Sequence, residues 1–120
     1  MKRLRRIASD VKIGNIGLFD LYALEDFDFC ENLEFDEIQG LYIFGNYYQD
    51  KDGKMMFDIY YIGKTTDYDS RFYHHHKENQ LKQANPNCIA IHACNKQEMD
   101  KLEVEWIEFW KPIYNIQHNS

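Results

Sequence analysis

Residues 40–63 read GLYIFGNYYQDKDGKMMFDIYYIG, and this stretch decides the fold. Its two ends, GLYIFGNYY and MMFDIYYIG, are rich in β-branched and aromatic residues, the composition of strands. Between them lies QDKDGK, polar and containing a glycine, which is the chemistry of a hairpin connection. Two such runs joined by so short a turn pair antiparallel.

Toward the C-terminus, Asp67 and Ser70 supply helix-start chemistry and predict a helix over 67–82. Asn85-Pro86-Asn87 breaks the chain, and CIAIHAC (88–94) reads as a short buried strand. Residues 97–110 form an amphipathic helix that must end before Pro112. Strand, strand, helix, strand, helix predicts an α+β domain over 40–116, a small antiparallel three-stranded sheet flanked by helices. Residues 1–39 stand apart as an N-terminal extension. There NIGLFDLYALEDF (15–27) has some helical spacing and LEFDEI (33–38) alternates like a strand, so neither element is assigned.

Length and composition limit the function classes. The chain has 120 residues, enough for one domain. No apolar run approaches a membrane span, which predicts no membrane partner. The basic start MKRLRRIASD is not followed by the apolar core of a signal peptide, which predicts a cytoplasmic location. Cys30, Cys88 and Cys94 are odd in number and match no zinc spacing, so reduced thiols are expected. The net charge of −6 is unevenly spread. Residues 1–12 carry five basic and one acidic residue, residues 13–39 eight acidic and no Lys or Arg, and residues 40–120 nine basic and eleven acidic. The extension is thus a basic arm followed by an acidic stretch, and the nearly balanced remainder can still build a positive cleft locally.

Three groups of residues invite chemistry. In the last helix, with about 100° per residue, Met99, Trp106, Ile107 and Trp110 fall within about 60° of Glu103, while Glu98, Glu105 and Glu108 face the other way with Lys101. A carboxylate in the middle of an apolar face needs a cation, a metal or donors to hold it, and a structural ion pair under the sheet is the plainer alternative. In the preceding helix, Arg71, His74 and His75 share a face with Asp67 one turn earlier, a surface that could grip a phosphate or simply meet solvent. In the strands, Tyr42, Tyr60 and Tyr61 could be cross-strand packing or reactive phenols.

Taken together, these residues resemble one family. Gly40-Leu41-Tyr42 and Tyr61-Ile62-Gly63 are similar to the paired tripeptides that name the GIY-YIG nucleases. Arg71 lies eight residues after Gly63 and His75 four further on, Lys64 follows the second tripeptide, and EVEWIEFWKPIYN places Glu103 twelve residues before Asn115. The resemblance covers residues 40–115, about two-thirds of the chain. Leu41 replaces an isoleucine, the hairpin is longer than the family's shortest, and nothing carries over to residues 1–39. No basic DNA-binding domain is appended, as it is in homing enzymes.

The resemblance implies a metal-dependent endonuclease that hydrolyses phosphodiester bonds in nucleic acid, DNA ahead of RNA, in a phage, mobile-element or repair setting. It implies that Glu103 holds one divalent ion, Mg²⁺ or Mn²⁺, and that Arg71 holds the phosphate. Tyr61 would take the proton of the attacking water, its phenol made acidic by Lys64 and the metal, Tyr42 would position water or phosphate, and His75 would assist proton transfer. Gly63, Lys64 and Asn115 are expected at the substrate, with Asn115 either orienting Glu103 or anchoring the chain end. A rival expectation is a catalytically weak or inactive binding protein of the same fold, whose acidic 13–39 stretch binds a basic partner.

Overall fold

The structure, a computed structural model, describes residues 2–14, 17–25 and 27–116. In chain order its elements are β1 (Arg6–Lys12), β2 (Leu18–Ala23), β3 (Gly40–Gln49), β4 (Met55–Thr65), α1 (Tyr68–Arg71), α2 (Glu78–Ala84), β5 (Cys88–Ala93), α3 (Lys96–Trp110) and α4 (Ile113–Ile116). The five strands form one antiparallel sheet in the order β1-β2-β5-β3-β4. The α+β class agrees with expectation, but the three-stranded sheet does not. The N-terminal extension adds two strands, with β2 pairing Asp20 to Ile91 and Ala23 to Cys88.

Local patterning concealed these strands for a physical reason. An interior strand covered on both faces reads as a continuous apolar run rather than as an alternation. In β2, Phe19 packs with the side chains under α3 while Tyr22 packs on the opposite face. The surrounding positions 15, 16 and 26, which contributed to the helical reading of 15–27, lie outside the described residues. The segment 33–38 alternates as its sequence suggests, with Leu33 and Phe35 buried and Glu34 and Asp36 exposed. It is not a strand of the sheet, however, and makes only an isolated parallel bridge from Leu33 to Lys2.

The expected hairpin is present, with Tyr42 opposite Gly63 and Ile43 opposite Ile62 across β3 and β4, and a register shift between Phe44 and Gly45. Alternation divides its side chains between two cores. Leu41, Ile43 and Ile62 pack with Met99 and Trp106 of α3. Tyr42, Phe44 and Tyr61 pack on the other face with Phe29, Leu33 and Phe72. α3 follows its expected bounds closely, because Asn95 caps its start by accepting from the Glu98 amide and Lys111 ends it in the left-handed conformation ahead of Pro112.

The helix expected over 67–82 is broken. Asp67 does cap α1, accepting from the Asp69 amide and the Ser70 hydroxyl. The helix then stops at Arg71, His74 adopts φ +50°, and its amide donates to the Phe29 carbonyl at 2.7 Å. A tertiary bond to the N-terminal segment thus replaces a helical one, and α2 restarts at Glu78. Arg71, His74 and His75 therefore do not share a helical face.

The acidic stretch folds back on the basic arm. Glu31 pairs with Lys2, Glu34 and Asp36 with Arg3, Asp36 and Asp20 with Arg6, Glu25 with Arg5, and Asp28 with Lys82. Exposed pairs of this kind add little stability, but they cancel much of the local field. Cys30, Cys88 and Cys94 are free thiols. Among the described residues no helix is long and apolar enough to cross a membrane.

Candidate active site

β4 is an edge strand, so the two faces of the sheet meet solvent along it. Tyr61 belongs to one face, and Lys64 reaches toward α3 on the other. A groove of about 460 Å³ runs where they meet, lined by Tyr61, His76, Lys77, Gln80, Glu103, Ile107 and Asn115. A second groove, of about 380 Å³, is lined by Lys64, Thr65, Thr66, Arg71, Lys96, Met99 and Asp100. The Lys64–Glu103 and Arg71–His76 contacts join the two.

Tyr42 is the buried centre of the site. Its hydroxyl lies 2.6 Å from His75 Nε2 and 3.1 Å from Arg71 Nε. The His75 tautomer follows from its other nitrogen, since the Lys77 amide donates to Nδ1 at 3.0 Å. Burial, with Arg71, His76 and Lys77 nearby, pulls the His75 pKa down to about 3, so the ring is neutral and carries its proton on Nε2. His75 and Arg71 both donate to the Tyr42 oxygen, which leaves the Tyr42 proton to be donated in turn. Burial raises the Tyr42 phenol well above its ordinary value.

Tyr61 lies beside Tyr42, with ring centroids 6.2 Å apart, and faces the groove. Burial raises its phenol as well; Arg71 and a hydrogen bond from Tyr42 work against burial, and Glu103 works with it. Its hydroxyl is 3.2 Å from Nε2 of His76, whose Nδ1 lies 3.4 Å from an Arg71 amine. An arginine can only donate, so His76 presents its Nε2 proton to Tyr61. His76 is a site residue that the sequence reading passed over. The run of three histidines was visible, but a continuous helix would have turned position 76 off the shared face. With the helix broken at Arg71, the rings of His75 and His76 stack at 4.5 Å, while His74 points outward to Glu78.

Gly63 is required by Tyr42 rather than by a turn. A Cβ at Gly63 would fall 2.3 Å from the Tyr42 ring and hydroxyl, so only glycine lets the second strand lie under that ring. Gly40 has φ +148°, and a Cβ there would fall 2.3 Å from the His92 carbonyl.

Glu103 is half-buried on α3, 3.6 Å from Lys64. Burial raises its carboxyl above the ordinary value, and Lys64 opposes the shift. Lys64 is also bonded to Asp100 at 2.9 Å, and Asp100 to Lys96. Asp100 was the other residue missed, although its spacing three before Glu103 puts both on one side of a helix. Asn115 forms no hydrogen bond with Glu103. Its carboxamide bonds to the Ile62 backbone, the chain-anchoring alternative.

A cation at this site would rest on Glu103. Among the described residues no group of three or more His, Cys, Asp or Glu could hold a metal. A single half-buried carboxylate, held only by a lysine and opening on a groove, suits a hard cation that keeps most of its waters.

No family model, curated protein or solved structure matches the chain.

Proposed function

We propose that the protein is a metal-dependent endonuclease of the GIY-YIG type, acting on DNA ahead of RNA. The observation that carries this reading is the convergence of Tyr61, Arg71 and Glu103 on the grooves along β4, with Tyr42 buried against Tyr61 and Arg71. They come from two strands, a short helix and a long one. Both phenols feel the Arg71 and Glu103 charges.

Phosphodiester hydrolysis needs a nucleophilic water, neutralisation of charge on the phosphate and help for the leaving oxygen. Tyr61, lining the groove, takes the proton of the attacking water as the water's oxygen bonds to phosphorus and the bond to the leaving oxygen breaks. Tyr61 must first give up its own proton to solvent. Because burial raises its phenol and Lys64 does not lower it, Arg71 and a cation at Glu103 would have to favour that ionisation. Tyr42 stays protonated because it is fully buried, which outweighs the pull of Arg71; its own proton hydrogen-bonds the Tyr61 oxygen and steadies the phenolate form from which Tyr61 acts. Arg71 holds the phosphate with the part of its fork not engaged by Tyr42. Glu103 would hold Mg²⁺ or Mn²⁺, which supplies electrostatic stabilisation of a phosphate oxygen and of the leaving oxygen. His75, neutral and buried, orients Tyr42 and is not itself a proton carrier.

The test is incubation of the full chain with supercoiled plasmid, single-stranded DNA and RNA, in Mg²⁺, in Mn²⁺ and in chelator. Cleavage that requires the metal and disappears in Glu103→Gln, but persists in the exposed Glu105→Gln, supports the reading. No metal-dependent cleavage of any of these substrates, or equal loss in both variants, overturns it.

A further inference from the structure

Lys77 is buried, with 5% of its surface exposed. Its side chain forms no hydrogen bond or ion pair with any described residue. It lines the same groove as Tyr61, His76 and Glu103. Its backbone is held on both sides, the amide by His75 Nδ1 and the carbonyl by the Leu81 amide, so the ammonium can reach only the space its stem points into. Gln80, three residues on and hence on the same side of α2, lines the groove too, and its side chain has no partner among the described residues.

The other cations of the site are already engaged. Lys64 is tied to Asp100 and Glu103, and Arg71 donates to Tyr42. An ammonium taken largely out of water without a carboxylate is costly unless an anion or water meets it. Two unpartnered donors, one charged and one an amide, converge on a groove that already holds the proposed base. We propose that Lys77, with Gln80, is the anion-binding end of this groove and receives a phosphate of the bound strand, adjacent to the one that is cut. This assignment rests on the nuclease reading. It adds a strand-positioning residue that the tyrosine, arginine and glutamate motifs do not contain.

The plainer alternative is a lysine whose methylenes cover apolar surface while its head reaches groove water. Lys77→Met separates the two, because it keeps the stem and removes the charge. Binding of a short oligonucleotide is measured in chelator, where nothing is cut, at several salt concentrations. Lys77→Met should weaken binding about tenfold at low salt and lower the slope of log K against log salt by about one. Lys77→Arg should restore both, and the exposed Lys101→Met should change neither beyond a small uniform effect. With metal, Lys77→Met should raise KM more than it lowers kcat. In parallel, inorganic phosphate titrated into the wild-type chain should shift the Gln80 side-chain amide resonances, a readout that needs no variant to fold. If the wild type cuts nucleic acid while Lys77→Met binds and cuts as it does, the Lys77 assignment is wrong and the nuclease reading stands. If no nucleic acid is cut but phosphate still shifts Gln80 in a Lys77-dependent way, the anion site stands and the nuclease reading falls. If neither occurs, both fall.

Discussion

The Asn115 carboxamide bonds to Ile62 in both directions: Nδ2 donates to the Ile62 carbonyl and Oδ1 accepts from the Ile62 amide, each at 2.8 Å. The side chain thus behaves as one residue of a neighbouring strand, satisfying the outward backbone groups of edge strand β4 between Tyr61 and Gly63. Asn115 is buried, so water cannot easily replace it. Asn115→Ala should therefore destabilise the protein by about 1–3 kcal/mol, the usual scale for leaving buried polar groups unpaired. Asn115→Asp should not rescue it, because a carboxylate cannot donate to the Ile62 carbonyl. Urea denaturation measures this, and an alanine variant as stable as the wild type would show that the contact holds nothing.

The two tyrosines should separate by substitution. Tyr61→Phe keeps the ring and removes the proposed base, so cleavage should fall at least ~10²-fold, at the structural cost of the hydrogen bonds to Tyr42 and His76. Tyr42→Phe removes the acceptor of both His75 Nε2–H and Arg71 Nε–H, so it should lose stability as well as activity. Cleavage rates and thermal unfolding of the two variants are compared. A Tyr61→Phe enzyme with full activity would move the role of base elsewhere.

His75 makes stability depend on pH in a stated direction. Its folded pKa is lowered to about 3 from an ordinary 6.5, so the unfolded chain binds the extra proton first. Its contribution is fully present above pH 6.5 and is lost as pH falls from 6.5 toward 3. Between pH 6.5 and 5, before carboxylates titrate strongly, the loss should be about 1.6 kcal/mol, since the slope rises to about 1.4 kcal/mol per pH unit only below the unfolded pKa. His75→Gln should flatten this part of the profile. Denaturation midpoints measured at each pH decide, and an unchanged slope in the variant would show that another group is responsible.

Removing the N-terminal segment should damage the protein rather than release it. A chain beginning at Glu34 lacks β1 and β2, exposes the edge of β5 over Cys88–Ile91, and loses the Phe29 carbonyl that holds the turn at His74. It also loses Phe29 and Leu33 from the core around Tyr42. The expected result is a lower melting temperature and a tendency to aggregate, with no gain in cleavage per folded molecule. A stable truncated chain that cleaves faster would instead mark the segment as a restraint.

The hairpin of residues 40–63 and the helix ending before Pro112 could be read directly from the sequence, because each rests on local rules. Strand composition on either side of a polar turn dictates the hairpin, and the apolar stripe of Met99 and Trp106 together with Pro112 dictates the helix. Glu103 stood out for the same reason, as a carboxylate on an apolar face.

What only the tertiary structure decided depends on groups far apart in the chain. β2 exists because residues 20–23 find residues 88–91, a pairing with no local signature, and its burial on both faces erased the alternation that marks a strand. The helix expected through His75 breaks because the Phe29 carbonyl captures the His74 amide, and that break turns His76 toward Tyr61. The same break lets the Lys77 backbone amide donate to His75 Nδ1 and fix that ring's tautomer. Propensity and spacing report what a segment can do alone; which hydrogen bond it finally makes depends on what the rest of the fold offers it.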